Sequence, residues 1–550
     1  MSEFPSLPTD GTTTFPRLLA RALRLRGVTH AFGMPGGASL PLLDALREEG
    51  IEFVLVRHEG AAGFMADAAY HVTRAPGVCV ATLGPGATNL VSGVAGSLLE
   101  RSRVVAISSQ IGTDIRGTYT HQILDHIEIF KPVTRRAVHV QGEAASTQLM
   151  LTLAAMDRQA PGPVFIDIPT EMNGMEIPAV DPAWGRPQGP GAVPDVATAA
   201  ARLAAAKRPL VVVGCGELSN TAANGARRLQ VAANAVGLTT YRAAGMLDED
   251  HPLWAGTFGL SPVVDAHQQE LIAQADLMVA VGLDMVELRP NWLPGWPEDL
   301  PIISVDAHGQ PDLMGNITER LHGPVMQTLD ALREAAFGEV DVVGSGESAW
   351  DDAALAAHRH AWRRPFLDGP DGPAAAIHAV QKGSPEGTRF CLDVGAHRIT
   401  AAHVLRGRFP NQILQSNGFS SMGVGLPAAI ACRLVEPERS VVALSGDAGL
   451  WMTLGELGII QERNLDVVVV YLADGALSLI QLKQERAGLQ DGGVTFANPD
   501  VEKLAAAFGG VGVSVRGRAA VEQAVREAHA RGGLTLIEAA IDPAPYRTQM

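Results

Sequence analysis

The chain has 550 residues, 47% hydrophobic and 19% charged, which is material for about three domains of roughly 150 to 200 residues and too little charge for a disordered protein. Its 43 basic and 59 acidic residues leave a net charge of −16, and such a chain repels phosphate backbones and anionic lipid, which argues against nucleic-acid and membrane partners. Four scattered cysteines without a C-x-x-C pair, no apolar run of the ~18 residues that a membrane span needs, and no signal-like N-terminus set the expectation of a protein of the reducing cytoplasm.

In chain order, short β-branched runs alternate with alanine- and leucine-rich amphipathic stretches. Runs at 53–57, 78–83, 103–108 and 164–168 come first, then 210–213, 277–281 and 302–305, and finally 441–444 and 467–472. Short buried strands alternating with helices predict an α/β protein of doubly wound parallel sheets. Two stretches break the rhythm: 169–194 is rich in Pro and Gly, and 338–348 mixes small and acidic residues. Both read as linkers. The expected domains are 1–180, 190–340 and 360–550, with no internal repeat visible between them.

Two places carry acids in telling positions. Glu59, in Arg57-His58-Glu59, follows a strand and precedes the small-residue stretch 60–68 (GAAGFMADA). Small residues suit close helix packing, and an acid at the head of a helix complements its dipole. Taken alone, Glu59 says no more than that. Near the other end, the buried run 441–446 stops at a tight turn, Gly446-Asp447-Ala448. A helix-like stretch, 451–461, leads to a second buried run that ends in Ala473-Asp474-Gly475. Each strand thus has a carboxylate just past its C-terminal edge, where open α/β sheets bind ligands. Two carboxylates there suit a hard cation such as Mg²⁺ that shares its remaining positions with phosphate. A glycine beside Asp447 lets backbone N–H groups approach an anion closely. Singly, the two aspartates would pass for a turn residue and a helix cap.

Asp447 followed 27 residues later by Asp474 resembles the fingerprint of thiamin-diphosphate-dependent enzymes of the acetolactate synthase and 2-oxo acid decarboxylase family. Five other runs resemble segments of that family, and all occur in its order between about residues 15 and 545: Phe32-Gly33-Met34-Pro35-Gly36-Gly37, RHEGAAGFMADAAY from Arg57, Leu83-Gly84-Pro85-Gly86-Ala87-Thr88-Asn89, Asp393-Val394-Gly395-Ala396-His397, and the stretch from Ser416 to Ala429.

The resemblance implies three domains: aminopyrimidine-binding, central and diphosphate-binding. It makes Glu59 the carboxylate that hydrogen-bonds the cofactor's aminopyrimidine and moves its protons. It puts Gly36, Gly37 and Asn89 on the active-site face. It assigns Gly395, Ala396, His397, Gly446, Asp447, Ala448 and Gly449 to the diphosphate. Met422 becomes the wedge that bends the cofactor, and the Ser420 carbonyl accepts a hydrogen bond from it. Asp447, Asp474 and the Ala476 carbonyl become Mg²⁺ ligands, and Leu477 and Leu479 line an apolar, water-excluding pocket. The implied assembly is a homodimer or homotetramer in which the glutamate of one subunit meets the diphosphate domain of another.

Four departures from the acetolactate synthases stand out. Ala473-Asp474 replaces Asn-Asn, which predicts weaker or more Mg²⁺-dependent cofactor binding. Ala396 replaces a glutamine. His121-Gln122 replaces Phe-Gln, as in carboxyethylarginine synthase relatives, and offers His121 and Gln122 as catalytic groups. The run 281–288 (VGLDMVEL) lacks the arginine of the FAD-binding members, and Gly214-Cys215-Gly216 is a lone GxG, so bound FAD is not expected. The implied function is a decarboxylase/carboligase for a small 2-oxo acid that works through an enamine. The alternatives are a non-ligating decarboxylase of the benzoylformate decarboxylase type, a carboxyethylarginine synthase-like enzyme, and a silent paralogue.

Overall fold

The computed structural model describes residues 11–157, 160–185, 191–292, 296–308, 316–338, 349–367 and 369–550. These residues build three six-stranded sheets in which every strand pairing is parallel. The expected α/β class is what the chain adopts. The inner strands are largely buried on both faces, as parallel sheets flanked by helices require. In Val467–Ala473, for example, every residue up to Leu472 is buried. Burying each such aliphatic side chain stabilises the fold by about 1.5 to 3 kcal/mol.

In spatial order the first sheet runs Glu52–Leu55, His30–Met34, Gly77–Ala81, Val104–Gln110, Val164–Pro169, Arg136–His139. The central sheet runs Trp254–Phe258, Val236–Thr240, Pro209–Val213, Leu277–Val281, Pro301–Asp306, Asn316–His322. The last runs Ile413–Gln415, Arg389–Leu392, Val441–Gly446, Val467–Ala473, Leu534–Ala540, Val511–Arg516. With strands numbered along the chain within each sheet, the first and last sheets share the order 2-1-3-4-6-5, while the central sheet has 3-2-1-4-5-6. A repeat that the sequence hides is therefore present in the wiring. A buried parallel strand asks only for apolar, β-branched residues, so two sheets can share a topology without sharing residues.

By internal packing the chain divides into two units. One comprises Met1–Gln188, Gly418–Glu438 and Thr453–Leu465, and the other Gly189–Asn417, Arg439–Met452 and Asp466–Met550. The first unit holds the first sheet, whose core joins Leu18, Leu19 and Leu23 to Val80, Val105 and Ile166. The helix Gly425–Val435 belongs to this unit and packs on the helix Glu59–Thr73. The second unit holds the central and last sheets.

Three sequence expectations change. Much of the supposed linker at 169–194 is structured. Glu176–Pro178 pairs antiparallel with Thr12–Thr14, because Met172 and Ile177 are buried in the first core. The first strand expected at 53–57 ends at Leu55, since Arg57 and His58 turn toward the next helix. The stretch 451–461 is not one helix: it breaks into Asp447–Met452, a 3₁₀ turn Leu454–Glu456 and Leu457–Glu462. Thr453 leaves helical geometry at the break, and Gly455 and Gly458 weaken a continuous helix. The other linker, at 338–348, lies outside the described residues apart from Gly338. Among the described residues no helix is long and apolar enough to cross a membrane, and none of the four cysteines is in a disulfide.

Candidate functional site

In the first unit, Glu59 opens the helix Glu59–Thr73 and is only 6% exposed. The preceding His58 caps that helix, its Nδ1 accepting the Gly60 N–H at 3.1 Å. The partner helix Pro85–Leu99 crosses so closely that a Cβ on Gly93 would lie 2.6 Å from the Gly63 Cα. That glycine-on-glycine contact brings Asn89 within reach of the acid. Asn89 Nδ2 donates to Glu59 Oε2 at 2.9 Å, while Oε1 lies where a Cβ on Gly86 would come within 3.1 Å. Asn89 is the hydrogen-bond partner of this carboxylate among the described residues.

The loop before Asn89 is braced from below. Gly84 has φ +63°, and a Cβ there would lie 2.6 Å from the Gln122 carbonyl oxygen. Its N–H donates to His126 Nε2 at 3.1 Å, and His126 Nδ1 lies 2.9 Å from Asp167 Oδ1. A neutral ring with its proton on Nδ1 satisfies both contacts, a tautomer assigned from these partners. Asp167 also accepts from Ser108 at 2.8 Å and faces His139 Nδ1 at 2.9 Å. Burial pushes the Asp167 carboxyl up, but the hydrogen bonds from His126, His139 and Ser108 outweigh it and hold the group below the usual carboxylate range. Gly36 is equally constrained, since a Cβ there would run into the Thr82 side chain, whereas Gly37 has open space.

His121 and Gln122, the two expected catalytic groups, lie on an exposed loop. The His121 ring stands edge-on to Tyr119, and Gln122 takes a left-handed φ of 61° beneath Gly84. The buried histidine beside this loop is His126, at the head of the helix His126–Phe130, and no sequence pattern marks it. Ser420 also has a left-handed φ, 53°. Met422 is half-buried, and the adjacent Phe419 packs on Gly96.

In the second unit, the acids stand at the C-terminal ends of neighbouring strands of the last sheet. Asp447 is 2% exposed. Its Oδ2 accepts from Asp474 N at 3.2 Å, Gly475 N at 2.8 Å and Asn498 Nδ2 at 3.0 Å, and its Oδ1 accepts from Ala448 N at 2.8 Å. Asn498, which no sequence pattern marks, also takes the Trp451 indole N–H at 3.1 Å. Asp474 accepts from Ser478 Oγ and from Ala476 N. Burial and the neighbouring Asp447 push its carboxyl up to about 6, against the Ser478 hydrogen bond. The loop that follows is pinned by bonds from Leu477 N to the Val494 carbonyl and from Phe496 N to the Gly475 carbonyl. Leu479 packs half-buried against the core of the last sheet.

The crevice where strand order reverses in the last sheet lies between the exits of Arg389–Leu392 and Val441–Gly446, the place where such sheets bind ligands. His397 sits there. Its ring would meet a Cβ on Gly395 at 2.9 Å or on Gly446 at 3.1 Å, which is why both are glycine. Burial and the adjacent Arg398 push His397 down to about 3, so the ring is neutral. Its Nε2 is buried without a hydrogen-bond partner among the described residues. Gly449 avoids Asp393, whose Oδ2 would lie 2.4 Å from a Cβ. Ala396 is buried and brings no polar group.

These residues fit a diphosphate bridged by a hard cation: an orphaned ring nitrogen, glycines where a Cβ would collide, and two acids at neighbouring strand ends that repel each other. Among the described residues no three His, Cys, Asp or Glu side chains gather into a metal site. A cation held by the two aspartates would therefore need carbonyl, phosphate or water oxygens as well.

The central sheet's corresponding crevice is closed. Gly216 N donates to the Gly282 carbonyl at 2.7 Å and Gly214 N to that of Val281 at 2.9 Å. The Glu287 carboxylate takes the Cys215 N–H at 2.8 Å and the Thr240 hydroxyl. Burial pushes Glu287 up to about 8, against the hydrogen bonds from Thr240 and Cys215.

Comparison with known proteins agrees with this geometry. The N-terminal TPP-binding domain of the thiamine pyrophosphate enzymes matches residues 13–129, their central domain 196–332 and their C-terminal TPP-binding domain 393–539. The chain is 29% identical over 541 residues to the acetolactate synthase isozyme 2 large subunit of Escherichia coli K12, covering 95% of each chain. It is 29% identical to the acetolactate synthase of Bacillus subtilis 168, covering 96% of this chain and 92% of that one. It is 31% identical to a probable 2-ketoarginine decarboxylase of Pseudomonas aeruginosa, covering 96% and 94%. The chain thus belongs to the thiamine pyrophosphate (thiamin diphosphate) enzymes and is an enzyme of their acetolactate synthase-like branch.

Proposed function

We propose that this enzyme is a Mg²⁺- and thiamin-diphosphate-dependent decarboxylase/carboligase for a small 2-oxo acid. The observation that carries the reading is the Glu59 carboxylate, buried and held through Oε2 by Asn89, with Oε1 left to a ligand. When bound, thiamin diphosphate supplies the carbon nucleophile and electron sink for cleaving a C–C bond beside a carbonyl. Glu59 would hold and move the proton at its aminopyrimidine nitrogen. Gly36, Gly37, the Ser420 carbonyl and Met422 would receive the aminopyrimidine side.

His397, with its neutral and unpartnered Nε2, suits a phosphate oxygen. Gly395, Ala396, Gly446, Ala448 and Gly449 would leave room for the diphosphate. Asp447, Asp474 and the Ala476 carbonyl would hold Mg²⁺. The raised Asp474 supports this, because a cation between two crowded carboxylates relieves their repulsion. Leu477 and Leu479 would keep water from the reacting carbon, and His121 and Gln122 would meet the substrate.

The closed central crevice supports a protein without FAD, since its turn N–H groups already serve carbonyls and Glu287. A homodimer is the proposed minimum unit, a homotetramer the larger form, and the cytoplasm the proposed location. A non-ligating decarboxylase is the second reading, favoured by the 2-ketoarginine decarboxylase relative.

The test is CO₂ release from a panel of 2-oxo acids by wild type and Glu59→Gln, with products analysed with and without an aldehyde or 2-oxo acid acceptor. Release by wild type that collapses in the variant is expected, and a ligated product separates the first reading from the second. If no 2-oxo acid releases CO₂ while the cofactor binds, the proposal fails.

A further inference from the structure

Glu456 is an acid that the reading above leaves unused. It ends the 3₁₀ turn Leu454–Glu456 and is 1% exposed. Its carboxylate accepts two consecutive backbone N–H groups. Arg57 N reaches both oxygens at 3.1 Å, and His58 N reaches Oε1 at 3.1 Å. These are the N–H groups of the two residues that immediately precede Glu59.

The surrounding segment reinforces the grip. The Arg57 side chain runs so close to Gly455 and Gly458 that a Cβ on either would come within 3.3 Å of it. Arg57 pairs with Glu462. Arg463 pairs with Glu52 and donates to the Phe53 carbonyl at 3.0 Å.

Burying a carboxylate is costly unless charge-assisted hydrogen bonds compensate it. Two N–H groups at a strand exit could be satisfied by water or a neutral amide. A buried charge at this position does more than satisfy them, because it fixes two successive peptide planes. The turn that it fixes carries His58, the cap of the helix, and then Glu59, whose carboxylate Asn89 holds from the other side.

We propose that Glu456 is a positioning residue for Glu59, clamping the Arg57–His58 turn so that the activating carboxylate is presented at one fixed place. This rests on the role given to Glu59 above. The groups that face the clamp are the Arg57 and His58 N–H donors and the Arg57 guanidinium, itself paired with Glu462. The His58 ring turns its Nδ1 to Gly60 instead. Burial pushes the Glu456 carboxyl up to about 7, against the Arg57 and His58 N–H groups and the Arg57 charge. Protonation puts a hydroxyl where one N–H donor pointed, so the clamp loosens as the pH falls through that value.

The test compares wild type with Glu456→Gln and Glu456→Ala. Amide hydrogen exchange over residues 52–60 is measured on the apoprotein, and kcat, KM and their pH profiles on the loaded enzyme. Expected are faster exchange at Arg57 and His58 alone in the alanine variant, and kcat down about 10- to 100-fold in both variants with KM within about twofold. The wild-type acid limb near pH 7 should vanish in Glu456→Gln. If the alanine variant does not fold, the glutamine variant carries the kinetic test. Exchange unchanged at the turn, or kcat and pH profile unchanged in Glu456→Gln, overturns the proposal. A general rise in exchange with a lowered Tm and an intact pH profile also overturns it, as a merely structural role would give that. If Glu59→Gln keeps CO₂ release, the reading of Glu59 fails and the catalytic half of this proposal with it, while turn-specific exchange still decides whether the clamp exists.

Discussion

The first and last sheets have the same strand order and put that wiring to different uses. In the first, the exits flanking the point of strand reversal carry Gly36 and Thr82, which meet side by side, and its acid stands apart, on the helix that follows the outermost strand, Glu52–Leu55. In the last, acids or their partners crowd that reversal and the neighbouring strand end: Asp393, Asp447 and Asp474, with His397 between. A topology supplies ledges at the C-terminal edge of a sheet. The side chains at each ledge decide whether it holds a charged ligand or positions a single acid. On the proposed function, the first sheet would serve proton chemistry and the last would serve anion and cation binding.

Swapping acid for amide on each sheet is the strongest way to break this comparison. Glu59→Gln should lower CO₂ release by about 10²- to 10⁴-fold and leave cofactor binding, measured by titration, almost unchanged. Asp447→Asn should do the reverse at subsaturating cofactor, weakening thiamin diphosphate and Mg²⁺ binding by more than the roughly 10- to 100-fold that outer-shell changes cost. If both variants lost binding equally, the division of labour would be wrong.

A smaller effect is expected from Gly93→Ala. The new Cβ would press on the Gly63 backbone, force the two helices apart and pull Asn89 from Glu59. Unfolding curves should show a loss of about 1 to 3 kcal/mol, with kcat falling further than stability alone explains. Gly37→Ala, with open space at its Cβ, is the control. The smallest effect should come from Asp474→Asn, which removes the charge crowding Asp447. Cofactor affinity should become less steeply dependent on Mg²⁺ by a few-fold, and a steeper dependence would show that the second charge is needed.

Much of this was readable in the residues. Parallel strands buried on both faces announce themselves as apolar runs, and Glu59, Asp447 and Asp474 lie at strand exits that those runs locate. The residues around the candidate sites that escaped are the ones that bond across long separations. His126 carries no signal beyond a position near Asp125, yet it links the Gly84 loop to Asp167 on another strand. Asn498 lies on a stretch with no motif and still holds Asp447. The stretch 451–461 looked like one helix because local propensity cannot weigh the pull on Glu456 from Arg57 and His58, some 400 positions earlier.

The sequence by itself determined the α/β class and the family, and placed Glu59, Asp447 and Asp474 just past strand ends, because apolar patterning, short motifs and acids at turns are local properties. Tertiary structure alone decided that the first and last sheets share one strand order, that Glu287 and paired backbone close the central crevice, and that Glu456 grips the turn before Glu59. Those outcomes depend on which hydrogen-bond partners meet once the chain is packed, and no local pattern records that.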